Sequence, residues 1–366
     1  MKPLKIITQN DMGHIALGGA FLGTGGGGDP YIGKLMAEQA IAASGPVKVI
    51  DVDDLADDAL VVPVAMMGAP TVMLEKLPRG DEALAALRAL EALIGRKADA
   101  VFCIEAGGLN STIPIAVAAT AGLPIVDADG MGRAFPELQM VSMTMAGVSA
   151  CPMTMADEKG NAITLNTVDN LSTEKFARSI TVEMGGAGLI AIYPMTGAQA
   201  KKAALRGSMS LIHNVGRIIQ EEQAANRNCA DRLAKDLNGF RLFEGRVMDV
   251  NRRTTGGFAR GTAIIEGLDG FAGRKIQLHF QNEFLVAQTD AGEPLAMTPD
   301  LICLLDLETG VPITTETMGY GFRVIVFGLP CDPVWRSEHG LQLVGPSYFG
   351  YEHNYVPIED LKRSAP

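Results

Sequence analysis

The apolar positions of this chain fall into two regimes. Up to about residue 160, short β-branched runs alternate with segments of helical period. Lys48–Val52, Leu60–Met66, Ala100–Glu105 and Leu123–Asp127 read as strands. Asp81–Lys97 is an Ala/Leu/Glu-rich amphipathic helix with Asp81 as its cap. Ser111-Thr112, with Pro114 close behind, opens another helix that runs through Ala121. Strands alternating with helices predict an αβα domain with a mainly parallel sheet over residues 1–165. Beyond it, Ser172–Met184 and Ala198–Asn226 read as helices, the second weakened at Gly207 and Gly216. The pattern then turns to short strands between Gly/Asp turns: Gly245–Val250, Thr262–Glu266, Lys275–Phe280, Phe284–Gln288, Leu301–Leu305 and Phe322–Phe327. These predict helices plus an antiparallel barrel or sandwich in a second domain, residues 166–366. Its turn-rich tail carries Trp335, Tyr348, Phe349, Tyr351 and Tyr355, too apolar for water, so it packs back on a domain.

One segment breaks this periodicity. Gly23-Thr24-Gly25-Gly26-Gly27-Gly28-Asp29-Pro30 stands between the apolar run Ile15–Leu22 and a helical pattern from Tyr31 to about Ala43. Consecutive glycines are costly and are kept where the backbone takes φ > 0 or approaches something closely. Amides at a helix start also suit an anionic or polar ligand atom. The run is not a nucleotide loop: Asp29-Pro30 stands where a P-loop needs Lys-Ser/Thr, and the segment before it looks helical rather than like a strand. Thr24, Gly25, Gly26, Gly27, Gly28 and Asp29 are therefore candidate substrate-contacting positions, against the plainer reading of a tight helix-to-helix turn.

Composition narrows the partners. Formal net charge is -11 with no basic tract, and aromatic residues make up only 5%, which argues against nucleic acid and anionic membranes. The apolar stretch Leu60–Leu74 is broken by Pro63, Gly68 and Pro70, so it reads as buried strand and not as a membrane span. No leader segment is visible, and the five scattered cysteines lack a C-x-x-C pair, as suits a reduced, cytoplasmic compartment. The five histidines form no sequence-adjacent metal motif; His213 reads as a packed or surface residue, although a metal site assembled from distant residues would be invisible at this level.

Two loops leave the carboxyl ends of predicted strands, where α/β sheets bind ligands. The first carries Glu105 and Asn110; the second carries Asp127, Asp129 and Arg133. Extended residues at i and i+2 point to one side, so Asp127 and Asp129 are expected to converge and position a water, a cation or a shared proton. The plainer reading is an Asx-rich turn neutralised by Arg133. Glu105 is expected in the same crevice with a raised pKa, or else bridged to Arg133. Gln281-Asn282-Glu283 reads as a hairpin turn whose side chains also suit a site between domains, which adds Asn282 and Glu283 to the binding candidates. Cys331 sits in an irregular segment with no identifiable base beside it.

Leu22-Gly-Thr-Gly-Gly-Gly-Gly-Asp-Pro-Tyr31, Asp127-Ala-Asp-Gly-Met-Gly-Arg-Ala-Phe-Pro-Glu-Leu-Gln139 and Gly345-Pro-Ser-Tyr-Phe-Gly-Tyr351 together resemble the S-methyl-thiohydantoin desulfurase family over nearly the whole chain. The resemblance implies a hydrolase acting on a C–S or cyclic C–N bond. Water would attack a ring C=N carbon to give a hydantoin and methanethiol. Glu105, Asp127 or Asp129 would then serve as acid and base, and Arg133 would hold a substrate carboxylate. Because such genes accompany hydantoinase and oxoprolinase genes, the alternative is a non-catalytic subunit or ligand-binding partner of such an enzyme. A homo-oligomer is expected, a divalent metal is compatible, and no nucleotide is expected.

Overall fold

The computed structural model describes residues 3–69, 72, 76 and 78–364; Pro70 lies outside them. The first sheet runs, edge to edge, Ile6–Ile7, Val47–Ile50, Ile125–Val126, Ala100–Cys103, Leu60–Gly68, Ala187–Ala191, Met153–Ala156 and Ala162–Leu165. Val47–Ile50, Ile125–Val126, Ala100–Cys103 and Leu60–Gly68 form a parallel block, as βαβ crossovers require. The remaining pairings are antiparallel, so the expected mainly parallel sheet is in fact mixed. The cause is local. Asp157 accepts hydrogen bonds from the Lys159 and Asn161 amides and folds Met153–Leu165 into a hairpin. Ala187–Ala191, from beyond residue 165, then fills the place between that hairpin and Leu60–Gly68.

The second sheet is antiparallel throughout, in the order Pro294–Met297, Glu283–Thr289, Lys275–Gln281, Phe258–Gly267, Phe240–Thr255, Arg323–Leu329, Leu301–Asp306 and Pro312–Ile313. Its longest hairpin turns at Gly256-Gly257, with φ of 60° and 79°, as a two-residue primed turn demands. Glu283–Thr289 and Pro294–Met297 also pack against Leu301–Asp306, so the sheet curls over its own apolar core of Phe243, Ile265, Leu278 and Val326. Trp335 from the tail is fully buried, donates from Nε1 to the Met131 carbonyl at 2.7 Å and stands edge-on to Phe135.

Helix Met12–Leu22 is apolar almost all round because it is buried between the halves, packed on helix Ser208–Ala224. The single helix expected over Ala198–Asn226 is two, Gly197–Ala203 and Ser208–Ala224, separated at Gly207 with φ 76°. Gly216 does not break the second one; a Cβ there would lie 1.7 Å from the His14 carbonyl oxygen, so it is the point of closest helix contact. Among the described residues no helix is long and apolar enough to cross a membrane.

Candidate functional site

The glycine run stitches the two halves together. The Gly27 carbonyl accepts from the Leu109 amide at 2.7 Å, on the first-sheet side. On the other side, Thr24 and Gly25 carbonyls accept from the Phe284 and Thr315 amides, each at 2.8 Å. A Cβ at Gly26 would fall 1.9 Å from Glu283 Oε1, and one at Gly27 would fall 2.5 Å from Gly107 Cα. Only backbone fits through this seam. Asp29 faces away from it as the cap of helix Pro30–Ser44, accepting from the Tyr31 amide at 2.7 Å.

Beside Gly27 lies a cavity of about 50 Å³, walled in part by Met66, Glu105, Asn110, Phe135, Asn282 and Glu283. At ~10–15 Å³ for each water, it has room for a few waters or a small ring fragment. Three carboxyls line it, of which Glu137 is half-buried and Glu105 and Glu283, from opposite halves of the chain, are buried. Glu105 follows the strand Ala100–Cys103; its Oε1 accepts from Asn110 Nδ2 at 2.6 Å, and it takes the Phe135 amide as well. Burial pushes Glu105 up to about 7, with the Asp129 charge adding and the Asn110 hydrogen bond opposing. Glu283 opens the strand Glu283–Thr289 directly after the turn residue Asn282. Burial holds its carboxyl well above the usual range, and the neighbouring Glu105 charge raises it further. Glu283 accepts from the Gly27 amide, while its Oε2 is buried with no hydrogen-bond partner among the described residues. Such a pair titrates as a unit and retains a proton through neutral pH.

The other expected site residues have different surroundings. Asn110 pairs with the Met66 backbone through Oδ1 (2.7 Å) and Nδ2 (3.2 Å), so it orients Glu105 from a fixed position. Asn282 accepts from the Ala259 amide at 2.8 Å and shapes the hairpin turn that presents Glu283. Thr24 is buried behind the loop, 2.9 Å from Arg133 Nη2. Arg133, expected to hold a substrate carboxylate or to bridge Glu105, does neither. All five of its N–H groups go to the carbonyls of Ala134, Pro299, Asp300 and Phe284 and to Thr24 Oγ1.

Asp127 and Asp129 do not converge on the cavity. The carboxylate of Asp127 accepts from the Ser210 amide (2.9 Å) and Oγ (2.5 Å); Asp129 accepts from Ser208 Oγ (2.6 Å) and the Gly132 amide (2.7 Å). Helix Ser208–Ala224 starts at Gly207, which has no side chain to cap it, and Asp127 supplies that cap from the link between strands Ile125–Val126 and Ala128–Asp129. Asp129 is buried and pushed up to about 6 by desolvation, and it bears on the site through its charge on Glu105 and its hold on the Met131 amide in the cavity wall. Asp127→Ala should therefore cost about 1–2 kcal/mol in urea denaturation, as lost caps do. Turnover should stay within a few-fold; a drop of about 100-fold or more would return Asp127 to the chemistry.

Cys331 is buried and its thiol is pushed up to about 12 by desolvation, which removes it as a nucleophile. It lines a wider cleft of about 580 Å³ together with Asp127, Gly132, Leu205, Ser208 and Leu329. That cleft is the larger one, but Asp127 and Ser210 within it are engaged with each other at the helix start. The smaller cavity holds the buried Glu105 and Glu283 together, with Glu283 Oε2 unpartnered among the described residues, and is the stronger candidate for the chemistry. Sequence reasoning missed Arg178 and Glu137 in its wall. Arg178 pairs with Glu174 one helical turn earlier, which in sequence looks like an ordinary surface ion pair.

Comparison with known proteins places this architecture among relatives. The model described as "S-Me-THD-like, N-terminal domain" matches residues 10–167, and "S-Me-THD-like, C-terminal domain" matches residues 168–358. A crystal structure of a protein from Chromobacterium violaceum is similar, with a TM-score of 0.76 at 28% identity, covering 97% of this chain and 100% of that one. No curated protein matches the chain.

Proposed function

Because the chain belongs to the S-Me-THD-like family, we propose that it hydrolyses a small cyclic thiohydantoin-type ring, with Glu105 and Glu283 as the reacting pair. The observation that supports this reading is two buried carboxyls from opposite halves of the chain lining one small cavity, one of them with an unpartnered oxygen. Displacing an S-methyl group from a ring C=N carbon needs one group to take a proton from water and another to give one to the ring nitrogen. Glu283, whose Oε2 is left without a partner among the described residues, enters as the acid; Glu105, whose carboxylate is held by donors from Asn110 and the Phe135 amide, enters as the base.

The protons balance over one turnover. Glu105 takes a proton from water as its oxygen adds to the ring carbon, and Glu283 gives one to the ring nitrogen. When the tetrahedral carbon collapses, the C–S bond breaks and C=O forms. Glu105 protonates the departing methanethiolate, the hydroxyl proton returns to Glu283, and both groups are reset. Met66, Met67 and Met131 in the wall give the cavity side chains that re-pack around a ring.

Methanethiol release from S-methyl-thiohydantoins of varied ring substituent tests this directly. The rate should rise with pH through a limb near 7, where Glu105 loses its proton, and fall at higher pH as Glu283 ionises. No turnover across the substituent series, or a rate independent of pH between 5 and 9, would overturn the assignment.

A further inference from the structure

Three side chains at the far end of helix Met12–Leu22 have no role in the proposed reaction. Asp11 precedes the helix, His14 lies one turn into it, and His213 comes from the middle of helix Ser208–Ala224. His213 Nε2 stands 3.0 Å from Asp11 Oδ1 and 3.2 Å from His14 Nδ1, and all three donor atoms lie within 4.8 Å of one another. We propose that Asp11, His14 and His213 form a binding site for Zn²⁺ or a similar borderline divalent transition-metal ion.

The two spacings from His213 Nε2, 3.0 and 3.2 Å, are those of neighbouring ligands around one ion. For bonds of 2.0–2.1 Å, ligand atoms stand about 3.3–3.4 Å apart in a tetrahedron and roughly 2.9–3.0 Å apart in an octahedron. Hydrogen bonding alone does not serve both contacts fully, because His213 Nε2 carries at most one proton and, given to Asp11, it is not given to His14. If instead His14 donates to Nε2, nitrogen and carboxylate oxygen meet lone pair to lone pair. A cation between the three satisfies every contact at once. Two imidazoles with one carboxylate select zinc-like ions over calcium or magnesium.

The surroundings hold the donors in place. Asp11 occupies the cap position of its helix, yet its side chain makes no cap bond there. Its Oδ2 accepts instead from the Thr8 amide (2.8 Å) and Thr8 Oγ1 (2.7 Å), which leaves Oδ1 toward the histidines. The helices approach closely because Gly18 and Gly216 leave room; a Cβ at Gly18 would lie 1.8 Å from the Ile212 carbonyl oxygen. Arg217, the nearby cation, is turned to Glu221 and Asn214. At 1.5 Å per residue, His14 lies roughly 14 Å along the helix from the glycine seam, so the ion does not reach the carboxyl pair. It clamps the two helices and the Thr8–Asp11 segment, stabilising the fold by mass action.

Chelator-treated full-length protein titrated with Zn²⁺ by calorimetry, alongside metal counting and thermal melts, tests the site. One Zn²⁺ per chain is expected, with a melting temperature that rises on addition. His14→Asn, His213→Asn and Asp11→Asn should each weaken binding by more than the ~10–100-fold typical of outer-shell changes. Thr8→Val leaves all three ligands in place and should fall within that range, which keeps the test open should a ligand variant not fold. Absence of zinc uptake, or uptake unchanged in Thr8→Val and in the folded ligand variants, would overturn the proposal.

Discussion

Glu105→Gln and Glu283→Gln are each expected to abolish turnover while making the protein more stable at pH 8. Loss of a positioned acid or base costs about 10²–10⁴ in rate, and each glutamine removes one. The stability effect has the opposite sign for a definite reason. Burial raises the Glu105 carboxyl from 4.5 to about 7 in the folded protein. Below pH 4.5 the group is protonated folded or unfolded and its contribution is fully present. As pH climbs toward 7 the unfolded chain ionises first, and that contribution is lost. At 1.36 kcal/mol per unit the whole loss is of order 3 kcal/mol, shared with its coupled neighbour. A neutral glutamine escapes it. Urea denaturation should therefore show Glu105→Gln more stable than wild type by about 1–3 kcal/mol at pH 8, with little difference at pH 4. A variant less stable than wild type at pH 8, or one that keeps wild-type turnover, would remove Glu105 from the proposed chemistry.

Much of the fold was legible because it is written in local pattern. Leu60–Met66 and Ala100–Glu105 are short, continuously apolar runs, as strands buried on both faces are, and the longer capped segments Asp81–Lys97 and Ser111–Ala121 between and after them read as helices. The antiparallel additions to the first sheet were not legible. Ala162–Leu165 is an exposed edge strand with no apolar alternation, and Ala187–Ala191 pairs on one side with Leu60–Gly68, more than a hundred residues earlier in sequence. The site divides along the same line. Glu105 could be placed because it follows a buried strand at its carboxyl end. The i, i+2 argument failed for Asp127 and Asp129 because Asp127 lies between two very short strands and answers to a helix start some eighty residues away in sequence. Asp11, His14 and His213 come together only through the close contact at Gly18 and Gly216, which no spacing rule encodes.

The glycine seam gives a second large effect, and its two central residues should behave differently. At Gly26 the three atoms nearest an added methyl group all belong to the Glu283 side chain, at 1.9 Å (Oε1), 2.4 Å (Cδ) and 2.5 Å (Cγ). Gly26→Ala therefore displaces the proposed acid from the cavity, with an overpacking cost of about 1–3 kcal/mol that the fold can absorb. Its turnover should fall about as far as that of Glu283→Gln, in a protein that still melts cooperatively. At Gly27 the new atom lies 2.5 Å from Gly107 Cα, and the residue already has φ 68°. Backbone cannot swing aside as a side chain does, and strain at that φ adds a further ~1–3 kcal/mol to the overpacking cost. Gly27→Ala should lose folded protein, with activity falling in proportion to the folded fraction. Circular-dichroism melts and methanethiol assays on the two variants separate these outcomes. If Gly26→Ala kept wild-type turnover per folded molecule, Glu283 would not be the acid. If instead both variants lost stability and activity in parallel, the seam would serve the fold alone.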